Sequence, residues 1–207
     1  MTAAKTANPD PGADHPLAGG EPLRAADRIL QLARDLFYRE GIRAVGVDEI
    51  VARAGVTKPS LYRSFPSKDE LAASYLRRYE AEFWERFNGA MSTHADDPRG
   101  QLLDYLEGLA VRSVAPDYRG CGLSNAAVEY PEPDHPARLV SEHHKRELSL
   151  RLYAMAAQMG AKDPHLLGDG LLLLLEGTFA SGQLFHEGGP AGNVARAAAL
   201  LIDAATR

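Results

Sequence analysis

Between Val47 and Leu71 the chain reads VDEIVARAGVTKPSLYRSFPSKDEL, and this run leaves few folds open. Ile50, Val51, Ala54 and Val56 give a short helix one apolar side. Gly46 stands at its N-cap. Gly55 stands at its end, where a turn of positive φ is least strained without a Cβ. Thr57 is placed to cap a second short helix. Pro59 falls in that helix's first turn, where a missing N–H costs nothing. Leu61 and Phe65 are four apart and can anchor the helix on a core, which leaves Lys58, Ser60, Tyr62 and Arg63 facing outward. Ser67-Lys68-Asp69-Glu70 then reads as a capping box ahead of Leu71. Two short helices joined by a glycine turn, with hydroxyls and cations on the protruding one, are the pattern of a helix-turn-helix that reads DNA.

The flanking sequence extends this into an all-α chain. From Leu23 to Glu40, Ile29, Ala33, Leu36 and Phe37 recur at helical spacing, and Gly41 is a stop. Helix patterns follow over Lys68 to about Met91, Arg99 to about Val114, Leu123–Glu129, Pro136 to Met159, Pro164–Glu187 and Ala191–Ala205. No segment carries a convincing strand period. The expected organisation is a tail over 1–20, a three-helix DNA-binding domain over 21–67, and a helical effector-binding and dimerisation domain over 68–207. The long helix from Lys68 joins the last two. The tail is rich in Pro and Gly, lacks an apolar core and reads as disordered rather than as a signal peptide. With only Lys5 as a cation, it is not expected to act as a minor-groove arm.

The stretch containing Ala33, Leu36, Phe37, Gly41, Val47, Ile50, Ala54, Gly55, Val56, Leu61, Tyr62, Phe65, Lys68 and Leu71 resembles the N-terminal domain of the tetracycline-repressor (TetR) family of bacterial transcriptional regulators. The resemblance covers about a quarter of the chain, and AGVTKPSLYRSFPSKDEL is its most specific part. It implies that the helix at Lys58–Ser64 enters the major groove. It also implies that Tyr62 and Lys68 touch phosphates. Two positions depart from the family: Gly46, where a capping Thr is frequent, and Arg63, where His or Tyr is frequent. A second stretch, GCGLSNAAVEYPEPDHPA from Gly120, resembles a linker between the middle helices of the effector-binding domain in one large subgroup. On this reading Lys58 and Arg63 read bases with Ser60 nearby, and Thr57, Tyr62 and Lys68 hold phosphates, with Pro59 shaping the helix start.

Charge is unevenly spread. The chain is net −5, but Glu21 to Lys68 holds nine Lys/Arg against six Asp/Glu, and Asp69 onward holds thirteen against twenty. A basic module on an acidic body fits one face turned to DNA. The acidic body argues against an anionic effector. The single Cys121 allows no internal disulfide and suits a reducing cytoplasm. Leu171–Leu175 is too short an apolar run to span a bilayer.

Phe83 and Phe87 of the long helix could line an effector cavity, and the family resemblance implies that Tyr105, Asn125, Tyr130, His143, Met155 and Phe179 lie on the helices around it. Phe83 and Phe87 form one aromatic stripe with Tyr75, Tyr79 and Trp84, and the residues of such a stripe are more often plain core. Asn125 and His143 could supply the few polar contacts of such a site. His143, His144 and Glu147 make only part of a zinc-protease motif, because Leu148 stands where another His is needed. His143 and Glu147 at i,i+4 read more simply as a solvated pair. No metal or cofactor is expected. Gly122-Leu-Ser-Asn-Ala126 lacks the strand–turn–helix of a nucleophile elbow, and Cys121 reads as a small buried hydrophobe. The expected function is a ligand-responsive transcriptional regulator, most simply a repressor. Its partners would be double-stranded operator DNA, a small-molecule effector and a second copy of the chain. The competing reading is a small-molecule-binding helical protein or enzyme with no DNA function.

Overall fold

The computed structural model describes residues 24–207. The tail expected over 1–20, and residues 21–23 beyond it, lie outside the described residues. Among the described residues every regular element is helical: α1 (Ala25–Glu40), α2 (Val47–Ala54), α3 (Lys58–Ser64), α4 (Lys68–Met91), α5 (Pro98–Arg112), α6 (Gly122–Glu129), α7 (Pro136–Gln158), α8 (Pro164–Phe185), a 3₁₀ turn (Pro190–Asn193) and α9 (Val194–Thr206). The expected boundaries agree to within a few residues. The exceptions have local causes. Asp97 caps α5 by accepting from Gly100 N–H, so that helix begins a residue earlier, at Pro98. α8 ends at Phe185 because His186 turns to positive φ. Pro190 starts a tight 3₁₀ turn, so α9 begins only at Val194.

The three-helix unit closes on Ile29, Ala33, Phe37, Ile50 and Leu61, all buried. The Ile, Phe and Leu side chains among them each contribute about 1.5–3 kcal/mol by leaving water. Leu71 and Tyr75 of α4 continue the same core. Thr57 Oγ1 accepts from Ser60 N–H (3.3 Å) and Ser67 Oγ accepts from Glu70 N–H (3.1 Å). The starts of α3 and α4 are therefore fixed by side chains of the loops before them. Gly55 takes φ +62, the left-handed turn that sets α3 across α2.

In the body, α7 and α8 pack side by side, with α4 along α7 and α9 along α5 and α8. Leu148, Leu152, Leu167, Leu171 and Leu175 form the heart of this layer. No helix among the described residues is long and apolar enough to cross a membrane.

Candidate functional site

The outward face of α3 carries the residues expected to meet DNA. Thr57, Lys58, Pro59, Tyr62 and Arg63 are exposed and Ser60 is half-buried. Arg63 has no ion pair among the described residues, which leaves its guanidinium available to a base edge or phosphate. Lys58 is different: its Nζ sits 2.6 Å from Asp48 Oδ1 on α2, and that hydrogen bond, with the attraction of the carboxylate, raises the ammonium pKa. Both partners are well exposed, so the pair is worth little and can open. Lys68 donates to the backbone oxygen of Arg43 (3.3 Å), and partial burial lowers its pKa. It stands at the tip of α4, tied to the loop between α1 and α2.

That loop is the join between the two domains. Arg43 N–H donates to Glu129 Oε2 (2.7 Å), and its guanidinium donates to the Glu129 carbonyl (2.9 Å) at the end of α6. The same guanidinium lies over the Tyr130 ring. Tyr130 in turn stacks on His135 at 3.8 Å, and His135 Nε2 faces Asp69 at 3.4 Å, in the first turn of α4. Farther along, Arg34 on α1 pairs with Glu82 on α4 at 2.8 Å. The carbonyl of Gly120 accepts from Tyr38 of α1 (3.2 Å) and Tyr79 of α4 (3.3 Å). Tyr130 is thus placed at the domain join.

A cavity of about 50 Å³ lies just behind, lined by Tyr38, Tyr79, Phe83, Arg86, Tyr105, Leu109, Arg112, Tyr118 and Phe179, with Arg39, Asp117 and Gly120 at its edge. Of the expected effector residues, Phe83, Tyr105 and Phe179 meet here. Phe87 is stacked behind Phe83 in the core. Met155 is buried in the layer around α7. Asn125 lines a separate cavity of about 230 Å³ between α1 and α6, with Phe37, Tyr75 and Glu129, and its amide donates to the Arg119 carbonyl (2.7 Å). His143 projects into solvent, 4.0 Å from Glu147.

Its neighbour His144 is the histidine that is buried. The imidazole has no exposed surface and stands edge-on to Phe83 at 4.5 Å; neither ring nitrogen makes a hydrogen bond, though Glu80 Oε1 stands 3.5 Å from Nδ1 without hydrogen-bond geometry. Burial, aided by the cations Lys145 and Arg151 and by His143, pushes its pKa down to about 3. The signal was available in the sequence: Ala137, Ser141, His144, Leu148, Leu152 and Met155 follow one helical face, and His143 does not. Arg112 was legible in the same way, three residues beyond Leu109 on the stripe Leu102, Leu106, Leu109. Tyr38, Tyr118 and Arg86 had no comparable signal.

The fold also brings Glu80 to His143 and Glu147, with possible ligand atoms all within 4.8 Å of one another. Arg151 already holds Glu147 at 2.6 Å, which places a cation where a metal ion would need the carboxylate. Cys121 is buried, and Lys145 donates to its sulfur (3.6 Å).

The arrangement has close counterparts. Residues 29–75 match the family model for bacterial regulatory proteins of the tetR family. A TetR-family transcriptional regulator from Streptomyces coelicolor shares 31% identity over 88% of this chain and 94% of its own, with a TM-score of 0.78. This chain belongs to the TetR family of transcriptional regulators. Among curated relatives, the transcriptional activator FasR of Mycolicibacterium smegmatis is 39% identical over 70 residues, 34% of this chain and 32% of its own length. The repressor KstR2 of the same organism is 32% identical over 93 residues, 45% and 43% of the two chains. The chain thus spans less than half the length of either curated relative. These TetR-family relatives are named as regulators of transcription, not as enzymes.

Proposed function

We propose that this TetR-family chain is an operator-binding homodimer, acting as a repressor that a small molecule releases. The observation that carries the DNA half is the exposed, capped α3 with Arg63 unpaired and Tyr62 and Lys58 beside it. A helix of a catalytic or purely ligand-binding protein has no use for that set. Arg63 and Lys58, the latter released from Asp48, read base edges, while Thr57, Tyr62 and Lys68 position the module on phosphates.

One α3 covers few base pairs, so specificity calls for two half-sites and two copies. The surface of α8 and α9 supports this. Leu166, Leu173 and Leu184 are exposed on one face of α8, with Gly177 and Ala180 between them, and Leu200 is exposed on α9. Two such helix pairs about a two-fold axis make an isologous four-helix contact.

The effector would enter the cavity around Phe83, Tyr105 and Phe179. At about 50 Å³ it is roughly a third of the 150 Å³ that holds benzene in a protein core. A ligand must therefore push side chains outward, and α4, which forms one wall, carries Lys68 and Asp69 at its other end. A ligand that fits the displaced state better shifts the balance by that difference in affinity, typically about 1–3 kcal/mol.

A gel shift with the DNA upstream of the chain's own coding sequence tests the reading. The wild type should give a salt-sensitive complex. Arg63→Ala should cost roughly 1–3 kcal/mol and relax preference at one position. Lys68→Ala should weaken all sequences alike and lower the salt slope by about one. Unchanged binding by both variants removes the assignment.

A further inference from the structure

The wall of the small cavity is charged in a way the acidic body does not foretell. Arg86 on α4 and Arg112 in the last turn of α5 both line it and both are half-buried. Neither guanidinium has a carboxylate within ion-pair distance among the described residues. Arg39, at the edge, is already held by Asp117 at 3.6 Å. Arg112 lies over the Tyr105 ring, 5.8 Å from its centroid. Burial, with repulsion from Arg86, lowers its pKa. The end of α5 supplies only a fraction of a counter-charge. Tyr118 lines the same cavity, and its hydroxyl is buried and has no hydrogen-bond partner. Buried charges and polar groups are expensive unless something pairs with them. Two unneutralised guanidiniums and an orphan phenol around one void describe the outline of a missing anion.

We propose that this cavity receives an organic carboxylate, its two oxygens on Arg112 and Arg86 with the Tyr118 hydroxyl donating to one of them, and its flat apolar body against Phe83, Tyr105 and Phe179. The proposal rests on the effector reading above and gives that effector a chemical class. A carboxylate meets a guanidinium through two parallel hydrogen bonds. The aromatic lining asks for carbon behind it, which inorganic phosphate lacks. The net negative charge of residues 69–207 does not oppose this, because the acidic side chains sit mainly at the surface and are screened there over about 8–10 Å. Without its ligand the protein carries the unpaired cations as a stability deficit.

The test pairs acids with neutral amides of the same shape: benzoate with benzamide, and 3-phenylpropionate with 3-phenylpropionamide, with inorganic phosphate as a third arm. Full-length protein is followed by thermal melting and by fluorescence of Trp84, the single tryptophan, 5.1 Å from Phe83. The acids should raise Tm and change the fluorescence, and the amides and phosphate should not. Arg112→Met and Arg112→Gln should weaken the acid effect at least tenfold. Arg112→Met should also melt about 2–4 °C higher than wild type when no ligand is added. Amides acting as well as acids, or a lower Tm for both Arg112 variants with the acid effect intact, overturn the carboxylate and leave the cavity as a neutral effector's site. Phosphate acting as well as the acids makes it a free oxyanion site and overturns the organic class. If no arm changes either signal, the carboxylate and the cavity reading fall together, while operator binding stands on its own gel shift.

Discussion

His144 should make the protein acid-sensitive in a defined window. Its ring is buried between Phe83 and Trp84, and the charged groups around it are Glu80 on α4 and Lys145, His143 and Arg151 on α7. In the unfolded chain a histidine takes a proton near pH 6.5, whereas burial holds this one neutral down to about 3. The unfolded state therefore binds more protons between those values, and stability falls as pH falls through 6.5 toward 3. Above 6.5 both states are neutral and the residue contributes no slope. Each pH unit inside the window costs up to about 1.4 kcal/mol, so pH 5 costs about 2 kcal/mol relative to pH 8. For a chain of this length that is a Tm loss of about 4–8 °C. His144→Leu removes the protonation site along with two orphan ring nitrogens. It should be near neutral or stabilising at pH 8 and should flatten the acid slope. Thermal melts of both proteins at pH 8, 7, 6 and 5, at one protein concentration, give the difference between the curves, in which all other titrating groups cancel. Parallel curves would refute a buried, neutral His144. So would a variant more acid-sensitive than wild type.

Two further outcomes are expected. Leu173→Glu with Leu184→Glu places charges on exposed leucines of α8 and should yield a folded monomer with weakened operator affinity; sedimentation of the wild type as a monomer at micromolar concentration removes the dimer. Glu129→Ala removes both an acceptor for Arg43 N–H and a negative charge beside Lys68, and it should change operator affinity by less than tenfold while shifting the effector concentration that releases DNA; a double-mutant cycle with Arg43→Ala that shows no coupling in release argues against this contact as part of the switch.

The local features were the most legible. Thr57 and Ser67 announced their helix starts because capping is a matter of neighbours in sequence. Gly55 did so because a left-handed turn tolerates few residues. The face of α3 was readable for the same reason: Leu61 buried and Tyr62 and Arg63 exposed follow from one helical period. What the sequence could not show were contacts between distant elements. Lys58 finding Asp48, Lys68 finding the Arg43 carbonyl and Arg43 finding Glu129 depend on how helices cross. The cavity shows both sides. Phe83 was placed near it by the aromatic stripe of α4, and Tyr105 and Phe179 by the family resemblance. Arg112 continues the stripe of α5, whereas Arg86 looks like a surface cation until α4 and α5 are laid together. The choice between His143 and His144 turned on one step of 100° around α7, and the apolar stripe decides it.

Beside the apolar core that Leu71 and Tyr75 share with α1, a set of polar contacts ties α1 and its following loop to the body: Arg34 to Glu82, Arg43 to Glu129, and the two phenols on Gly120. Such a seam differs from an apolar one in how it yields. Separating greased surfaces exposes area to water in proportion to the opening. A polar bond near the surface is exchanged for one to water, and each exchange costs only about 0.5–1.5 kcal/mol. A handful of exchanges matches the few kcal/mol that an allosteric ligand can supply. Gly120 is the point where the seam cannot be altered by substitution: its φ is +72, and an added Cβ would stand 2.7 Å from the Phe179 carbonyl. The reading head is thus held like a door on a latch, firm at rest and light to lift, with its strike plate cut into the cavity wall.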